Sequence, residues 1–275
     1  MKNILTLTLL TILLSTTLFS CSTKTEIIPH INWFEGSVEE AFAVAEKNNK
    51  PLFLYWGAVW CPPCQEIKHT VFKSRRFIAQ TESFIPVYLD GDTEAAQLNG
   101  EKFGVKGYPT MIIFNSKHDE ITRIPGGIDI SRYNDILALS LNSITPTKML
   151  VQKVISQPEK LSGNELKQLA YYSWGQDSGA LPEDYKPALF LTMSELASKQ
   201  EPADEISSAR FYMQYLYEVY KAASKKEGNK YKERDEPTEI VSGAYKLIET
   251  ILASEELTLA CWDSIAYSAS DFCPF

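Results

Sequence analysis

A strand that leads directly into a pair of cysteines is the feature that most constrains how this chain can fold. Residues 52–56 form a continuous apolar run of strand length, the pattern of a strand buried on both faces of a sheet. After a short turn, a Cys-Pro-Pro-Cys motif at residues 61–64 opens a helix that we expect to reach about residue 80. Proline is tolerated in the first turn of a helix, because its missing N–H would have no partner there. The sequence therefore predicts a strand–turn–helix unit with two cysteines at the helix N-terminus.

The placement of these cysteines predicts redox chemistry. Unpaired backbone N–H groups and the positive end of the macrodipole both favour thiolate over thiol at Cys61. Cys64 lies one turn further along the same helix face, where it reaches the Cys61 sulfur while staying shielded. We expect Cys61 to attack a disulfide and Cys64 to resolve the resulting mixed disulfide. Pro63 removes one backbone donor, which predicts a moderate stabilisation of the thiolate.

The same Cys-x-x-Cys spacing also occurs in zinc sites and in plain structural disulfides. A zinc site needs two further ligands, and His30, His69 and His118 stand at none of the usual ligand spacings. The remaining candidates, Cys261 and Cys273, are distant in sequence. We therefore expect neither a metal nor a cofactor at this motif.

Helices and strands alternate through the first half of the chain. A capping box at Ser37 and Glu40 precedes a helix that closes near residue 49. The later predicted elements are strand 84–90, helix 93–103, strands 110–114 and 121–124 joined as a hairpin, and helix 130–141. This order predicts an α/β fold with a central mixed sheet and helices on both faces.

Two motifs in this region together resemble the thioredoxin superfamily. They are Trp-Cys-Pro-Pro-Cys at residues 60–64 and Gly-Tyr-Pro-Thr at residues 107–110, and the resemblance covers residues 37–142. Lys-Pro at 50–51 and His-Thr-Val-Phe at 69–72 are similar to the branch that contains the C-terminal domain of the periplasmic disulfide reductase. The resemblance implies a thioredoxin fold over residues 31–145.

The resemblance also implies a substrate-binding surface beside the cysteines. Pro109 would be cis and packed against Cys61, and the backbone of Tyr108 would pair with an extended substrate segment. Trp60 would contact the same substrate. An ordinary turn proline is the alternative interpretation of Pro109.

Two positions depart from the family pattern. Tyr55 stands where many thioredoxins carry a buried acid that moves the proton of the resolving thiol, and Gly57 stands where an aromatic residue is usual. Glu66 or Asp90 could accept that proton instead, although both are also typical of solvated surface charges. The departures bear on turnover rate and leave the two-cysteine mechanism unchanged.

The first residues predict an export signal. A positively charged start precedes an apolar run over residues 4–19, which is short for a membrane span. Leu-Phe-Ser-Cys at 18–21 resembles the lipobox of bacterial lipoproteins, although Phe19 is larger than the residue usual there, and an ordinary cleaved signal or an uncleaved anchor is the alternative. We expect a signal peptide at 1–20, acylation of Cys21 and a tether at 21–30. This predicts a periplasm-facing protein, lipid-anchored in a bacterial cell envelope.

Strand signals fade after residue 145, which predicts an all-α C-terminal domain over residues 146–275. Its predicted helices are 164–174, 187–198, 206–223, 238–252 and 257–266. Cys261 and Cys273 predict a structural disulfide, with an auxiliary redox pair or two free thiols as alternatives. The region also contains an aromatic-rich set of residues, for which we expect core packing, with a peptide-binding groove as the alternative. These residues are Tyr171, Tyr172, Trp174, Phe211, Tyr212, Tyr215, Tyr217 and Tyr220.

These features together predict a cell-envelope thiol–disulfide oxidoreductase. A formal net charge of −8 without a basic cluster argues against nucleic-acid binding. We favour a disulfide reductase that acts on exported proteins and receives electrons from a membrane donor. The alternative is a redox-sensing or binding lipoprotein whose helical domain holds a protein partner, and copper delivery is a more distant one.

Overall fold

The computed structural model describes residues 30–142, 145–177, 179–182, 186–226 and 239–272. The predicted signal peptide, Cys21 and almost all of the tether lie outside these residues. The helices and strands in chain order are α1 (Val38–Asn48), β1 (Leu52–Gly57), α2 (Pro62–His69), α3 (Arg75–Gln80), β2 (Ile85–Asp90), α4 (Glu94–Lys102), β3 (Thr110–Phe114), β4 (Glu120–Pro125), α5 (Tyr133–Asn142), α6 (Thr147–Ser156), α7 (Gly163–Ala170), α8 (Lys186–Ser198), α9 (Glu205–Lys226), α10 (Glu239–Leu252) and α11 (Glu255–Phe272). Within the described residues, no helix combines the length and the apolar character needed to cross a bilayer.

The four strands form one mixed sheet in the order β2-β1-β3-β4. β1 runs parallel to β2 and antiparallel to β3, and β3 and β4 form the predicted antiparallel hairpin. Every residue of β1 is buried, as its apolar run predicts. Trp56 pairs with Thr110, and Thr110 with Pro125, so the end of β1, the start of β3 and the end of β4 lie at the same end of the strands. Loops that leave this end of the sheet are therefore brought together.

Helices cover both faces of the sheet, as predicted. On one face Leu54 and Trp56 pack with residues of α1 and α4, among them Phe42 and Ala96. Alternate residues of β1, such as Phe53, face the opposite side and pack with α2, α3 and α5. The thioredoxin fold predicted from the sequence is thus present.

The single helix predicted to run to residue 80 is instead broken into two. α2 ends at His69 and α3 begins at Arg75, with a short 3-10 turn at Val71–Lys73 between them. Ser74 caps α3 by accepting a hydrogen bond from the Phe77 N–H at 3.1 Å. This serine favours a new helix start over continuation, because its side chain competes for backbone donors.

The predicted domain boundary at residue 145 does not separate two hydrophobic cores. From Ile31 onward the described residues form one compact unit. Leu150 of α6 and Leu169 of α7 belong to the same buried cluster as Met111 and Ile121 of the sheet. The helical region is therefore built onto the sheet, and α6, which the sequence analysis did not predict, is the first helix to pack there.

Covering the edge of β4 explains why the helical region packs on the sheet. β4 is an edge strand, and its outward carbonyls need hydrogen-bond partners when they are buried. The Ile121 carbonyl accepts from Thr147 Oγ1 at 2.7 Å and from Gln168 Nε2 at 2.7 Å. The Arg123 carbonyl accepts from the Ser173 N–H at 2.9 Å. Side chains and backbone of the helical region thus satisfy the open edge.

A buried ion pair holds the later helices together. Arg210 of α9 donates to both carboxylate oxygens of Asp263 of α11, at 2.6 and 2.8 Å. The same guanidinium donates to the Ala170 carbonyl at 2.8 Å and stacks over the Tyr171 ring at 4.2 Å. Because the pair is bidentate and the guanidinium also donates to backbone carbonyls, it joins α7, α9 and α11 in one arrangement.

Candidate redox site

The two cysteines of the motif form a disulfide at the N-terminus of α2. Cys61 is the N-cap residue, Cys64 lies in the first turn, and their Cα atoms are 5.3 Å apart. Cys61 Sγ accepts a hydrogen bond from the Cys64 N–H at 3.3 Å. Both residues are almost fully buried. The local sequence thus places the sulfur pair at the site where a helix stabilises negative charge.

Two consecutive prolines limit the backbone donors around the Cys61 sulfur. Pro62 and Pro63 occupy the first two helical positions and have no N–H. The next N–H, of Cys64, bonds the sulfur, and the N–H of Gln65 bonds the Cys61 carbonyl at 3.1 Å. A thiolate at Cys61 would thus receive one backbone hydrogen bond from this helix end.

The peptide bond between Tyr108 and Pro109 is cis, as the family resemblance implied. Tyr108, which is partly buried, packs against a small buried cluster formed by Ala58, Cys61 and Cys64. On its other side the proline contacts Gly126, where an added Cβ would lie 2.7 Å from Pro109 Cδ. The loop after β4 therefore approaches the proline as closely as only glycine allows.

An exposed aromatic residue forms the rim of the site on the β2 side. Trp60 is 65% exposed, and its ring centroid lies 6.1 Å from that of Tyr108. Trp60 Nε1 donates to Asp92 Oδ1 at 2.8 Å, which fixes the orientation of the indole. The site therefore presents a buried disulfide beside a fixed, exposed aromatic surface.

Comparison with known proteins agrees with this geometry. Residues 38–140 match the family model of the thioredoxin-like domain. Residues 38–140 are a thioredoxin-like domain. The thiol:disulfide interchange protein DsbD of Yersinia pestis is 30% identical over 122 residues, which cover 42% of this chain and 20% of that protein. The protein disulfide-isomerase erp38 of Neurospora crassa is 26% identical over 96 residues, covering 34% of this chain and 26% of that protein.

Solved structures are also similar to part of this chain. A putative disulphide-isomerase from Bacteroides thetaiotaomicron is 28% identical with a TM-score of 0.37, and it covers 42% of this chain and 96% of its own. The chain spans about a fifth of the length of the first DsbD relatives it matches. The family match, the similarity to DsbD and the Cys61–Cys64 disulfide support thiol–disulfide oxidoreductase chemistry.

Tyr55 and Gly57, the two departures from the family pattern, are in contact: the Tyr55 ring fills the space next to Gly57. The buried ring of Tyr55 lies over Gly57, so that an added Cβ at Gly57 would be 2.7 Å from Tyr55 Oη. Burial first, and then neighbouring Tyr88, raise the pKa of Tyr55 far above its ordinary value. Tyr55 is therefore a neutral group and cannot take the place of the missing acid as a proton acceptor. Its hydroxyl lies 3.5 Å from the Cys64 carbonyl.

The two alternative acids differ in exposure, and Asp90 is half-buried. Glu66 is exposed on α2. Asp90, at the end of β2, accepts the Asp92 N–H at 3.2 Å and so shapes the turn before α4. Their role in proton transfer stays a prediction.

The structure differs from the disulfide predicted between Cys261 and Cys273. Cys261 is a free thiol, fully buried on α11, and burial raises its pKa to about 11. Cys273, the predicted partner, lies outside the described residues.

The aromatic-rich stretch is largely core. Tyr171, Tyr172, Trp174 and Phe211 are all buried, in agreement with the default interpretation of their spacing. The four later tyrosines, Tyr212, Tyr215, Tyr217 and Tyr220, are half-buried around Leu216.

Two residues that the sequence analysis did not single out contact the site. Asp92 orients Trp60, and Gln176 of the helical region hydrogen-bonds the Thr110 side chain next to Pro109. The position of Asp92 just after β2 was a usable signal, because loops at that end of the sheet converge. No local pattern connects Gln176 with a residue 66 positions earlier.

Proposed function

We propose that this protein is a protein disulfide reductase that acts through the Cys61 and Cys64 dithiol. The observation that carries the proposal is the Cys61–Cys64 pair at the N-terminus of α2, packed beside the cis-Pro109 loop. A thiolate there is stabilised, its partner thiol is shielded one turn inward, and a peptide-binding loop is adjacent. These are the parts that dithiol exchange with a protein requires.

The reaction follows from the positions of the two cysteines, with Cys61 at the helix N-cap and Cys64 one turn inward. In the reduced state the Cys61 thiolate attacks one sulfur of a client disulfide, and the other client sulfur leaves as a thiolate. Cys64 then loses its proton and attacks Cys61 Sγ, which breaks the mixed disulfide and releases the second client thiolate. Two electrons pass from the dithiol to the client, and the protein returns to the disulfide state.

The limited number of donors around Cys61 favours the reducing direction. A protein becomes a strong oxidant when its reduced form is stabilised, chiefly through the thiolate. Here Pro63 removes the N–H of the second helical position, and the Cys64 N–H remains as the donor to the sulfur. The resulting modest stabilisation of the thiolate supports a reductant.

We further propose that the protein works in a bacterial cell envelope. The apolar run at residues 4–19 and the lipobox-like sequence before Cys21 support export and lipid anchoring. The clients would then be exported proteins with incorrect or unwanted disulfides. A membrane electron donor of the disulfide-reductase type would return the Cys61–Cys64 pair to the dithiol state.

The reduction potential of the Cys61–Cys64 couple tests the proposal. The full chain, purified in detergent, is equilibrated with a dithiothreitol or glutathione buffer series, and the Cys61→Ser variant serves as the control. A value near about −270 mV, typical of thioredoxin, supports a reductant, whereas one near about −120 mV identifies an oxidant. If Cys61 and Cys64 form no reversible redox couple, the result favours the alternative, a binding lipoprotein. The same alternative is favoured if cells that carry the Cys61→Ser variant keep the full function of the protein.

A further inference from the structure

We propose that Gln176 is a positioning residue that holds the cis-proline loop, residues 107–110, in the orientation in which it binds a client polypeptide. Gln176 belongs to the segment between α7 and α8, whose residues Tyr172 to Asp177 we term the 172–177 loop. It lies outside the thioredoxin-like domain, so the helical region would complete the client-binding surface. The inference rests on the proposed function, because it concerns how the same site engages its substrate.

The base of the 172–177 loop is anchored on the edge of the sheet. The Ser173 N–H donates to the Arg123 carbonyl of β4 at 2.9 Å. Tyr172 Oη lies 2.6 Å from Asp177 Oδ2 and 3.0 Å from Glu120 Oε1, so its proton is shared between two carboxylates. Burial first, and then these two carboxylates, raise the pKa of Tyr172, which keeps the hydroxyl a donor.

The side chain of Arg123 fixes the strand residue to which the 172–177 loop is bonded. This side chain is 5% exposed and pairs with Glu120 at 3.0 Å. It also donates to the Phe103 carbonyl at 2.7 Å, just before the segment that leads to the cis-proline loop. The 172–177 loop is therefore attached to a residue whose buried guanidinium makes four hydrogen bonds, and it has a fixed starting point.

The tip of the 172–177 loop reaches the cis-proline loop directly. Gln176 Nε2 donates to Thr110 Oγ1 at 2.8 Å. Thr110 Oγ1 lies 2.7 Å from the Gly107 carbonyl and 3.1 Å from Gln176 Oε1, and it donates its single proton to the nearer Gly107 carbonyl. Thr110 is fully buried, so water cannot replace these partners. Lys106 Nζ adds a second tie, to the Gly175 carbonyl at 3.0 Å.

The Thr110 hydroxyl thus joins the two ends of the cis-proline loop, and Gln176 holds that hydroxyl. Between those ends lies Tyr108, whose backbone is the segment that would pair with a client. On the opposite side Pro109 is packed against Gly126, so the loop is held from both flanks. Loss of the Gln176 bond should loosen the loop and weaken client pairing while leaving the chemistry of the cysteines unchanged.

The decisive variant is Gln176→Met, which keeps side-chain length and removes the amide. Gln152→Met is the matched control, because Gln152 is exposed on α6 in the same helical region. The prereduced full chain in detergent is mixed with insulin, a protein disulfide, and separately with dithiobis-nitrobenzoate, a small disulfide that needs no backbone pairing. We expect Gln176→Met to slow insulin reduction about fivefold, the worth of roughly one hydrogen bond, and to change the small-disulfide rate less than twofold.

Two further measurements separate positioning from a merely structural role. The reduction potential should not change in Gln176→Met, since no atom near the sulfurs is altered. In the Thr110→Val background, Gln176→Met should cause no additional loss, because the hydroxyl through which it acts is already absent. An equal loss for insulin and the small disulfide, or an additive loss in the double variant, would overturn the proposal.

Amide hydrogen exchange provides a readout that needs no activity. Peptides that cover residues 103–111 should exchange faster in Gln176→Met than in the wild type or in Gln152→Met. Unchanged exchange together with unchanged insulin reduction would refute the positioning role. If the wild type reduces neither disulfide, the proposed function fails, while the exchange measurement still decides whether Gln176 holds the loop.

Discussion

The Tyr55 ring fills the space that a side chain at Gly57 would occupy, with Oη only 2.7 Å from the position of an added Cβ. The ring is fixed there by Trp33, Phe72 and Tyr88, whose centroids lie 4.8 to 6.3 Å away. The two departures from the thioredoxin pattern therefore compensate each other in side-chain size. A large residue at position 55 requires a small one at position 57.

Gly57→Ala should therefore destabilise the protein by about 1–3 kcal/mol through overpacking. In the Tyr55→Leu background, which removes the hydroxyl end of the ring, the same change should cost clearly less. Urea unfolding of the four proteins gives the coupling energy. Gly243→Ala is the control, because Gly243 lies inside α10 and no described atom beyond its own helix backbone and chain neighbours is within 4 Å of an added Cβ. This change should stabilise the protein by about 0.5–1 kcal/mol. Equal costs of Gly57→Ala in both backgrounds would show that the two residues are independent.

The two cysteines should have different roles in exchange with a client. Cys61→Ser should abolish disulfide reduction, because it removes the attacking sulfur. Cys64→Ser should retain the first attack and accumulate mixed disulfides with clients, because the resolving thiol is missing. Non-reducing electrophoresis of the variants after incubation with a disulfide-containing protein checks this. Mixed disulfides in Cys61→Ser rather than in Cys64→Ser would reverse the assignment.

The buried Cys261 thiol should make stability depend on alkaline pH. Its pKa in the folded protein is raised from 9.0 to about 11, so its contribution is complete below about pH 9 and is lost as the pH rises towards about 11. The loss should amount to on the order of 2 kcal/mol, because ionisation is easier in the unfolded chain. Buried tyrosines add to the alkaline loss, so the measurement is the difference in unfolding free energy between wild type and Cys261→Ala across this range. A pH-independent difference would contradict a buried, protonated thiol.

The shared core predicts that the sheet and the helical region unfold together. Leu169→Ala in α7 removes a fully buried side chain and should cost about 2–5 kcal/mol. Leu169 belongs to the same buried cluster as residues of the sheet that carries the redox site. The unfolding midpoint should therefore shift by the same amount whether unfolding is followed by helix content or by the access of a thiol reagent to Cys64 in the reduced protein. Exposed Leu259→Ala, on α11, is the control and should change neither midpoint by more than about 0.5 kcal/mol. Two separate transitions would show that residue 145 does divide two domains.

Local patterns were sufficient for the order of elements in the thioredoxin-like domain. The apolar run of β1, the capping box at Ser37 and Glu40, and the prolines after Cys61 each specify structure within a few residues, and all agree with the observed elements. The break between α2 and α3 was missed, because the cap at Ser74 competes with a plausible continuation of the helix. That choice depends on how Phe72 and Phe77 enter the core, which a one-dimensional pattern does not contain.

The sequence by itself determined that a dithiol would lie at a helix N-terminus, because neighbouring residues specify the helix start there. The cis proline was implied by the family resemblance, and the structure confirmed it. Tertiary structure alone decided what surrounds them. The pairing of Gln176 with Thr110, the cover of the β4 edge by Thr147, and the burial of Cys261 as a free thiol all join distant segments. Such contacts are selected by the need to satisfy buried polar groups and fill one core, and that need exists only once the whole chain is packed.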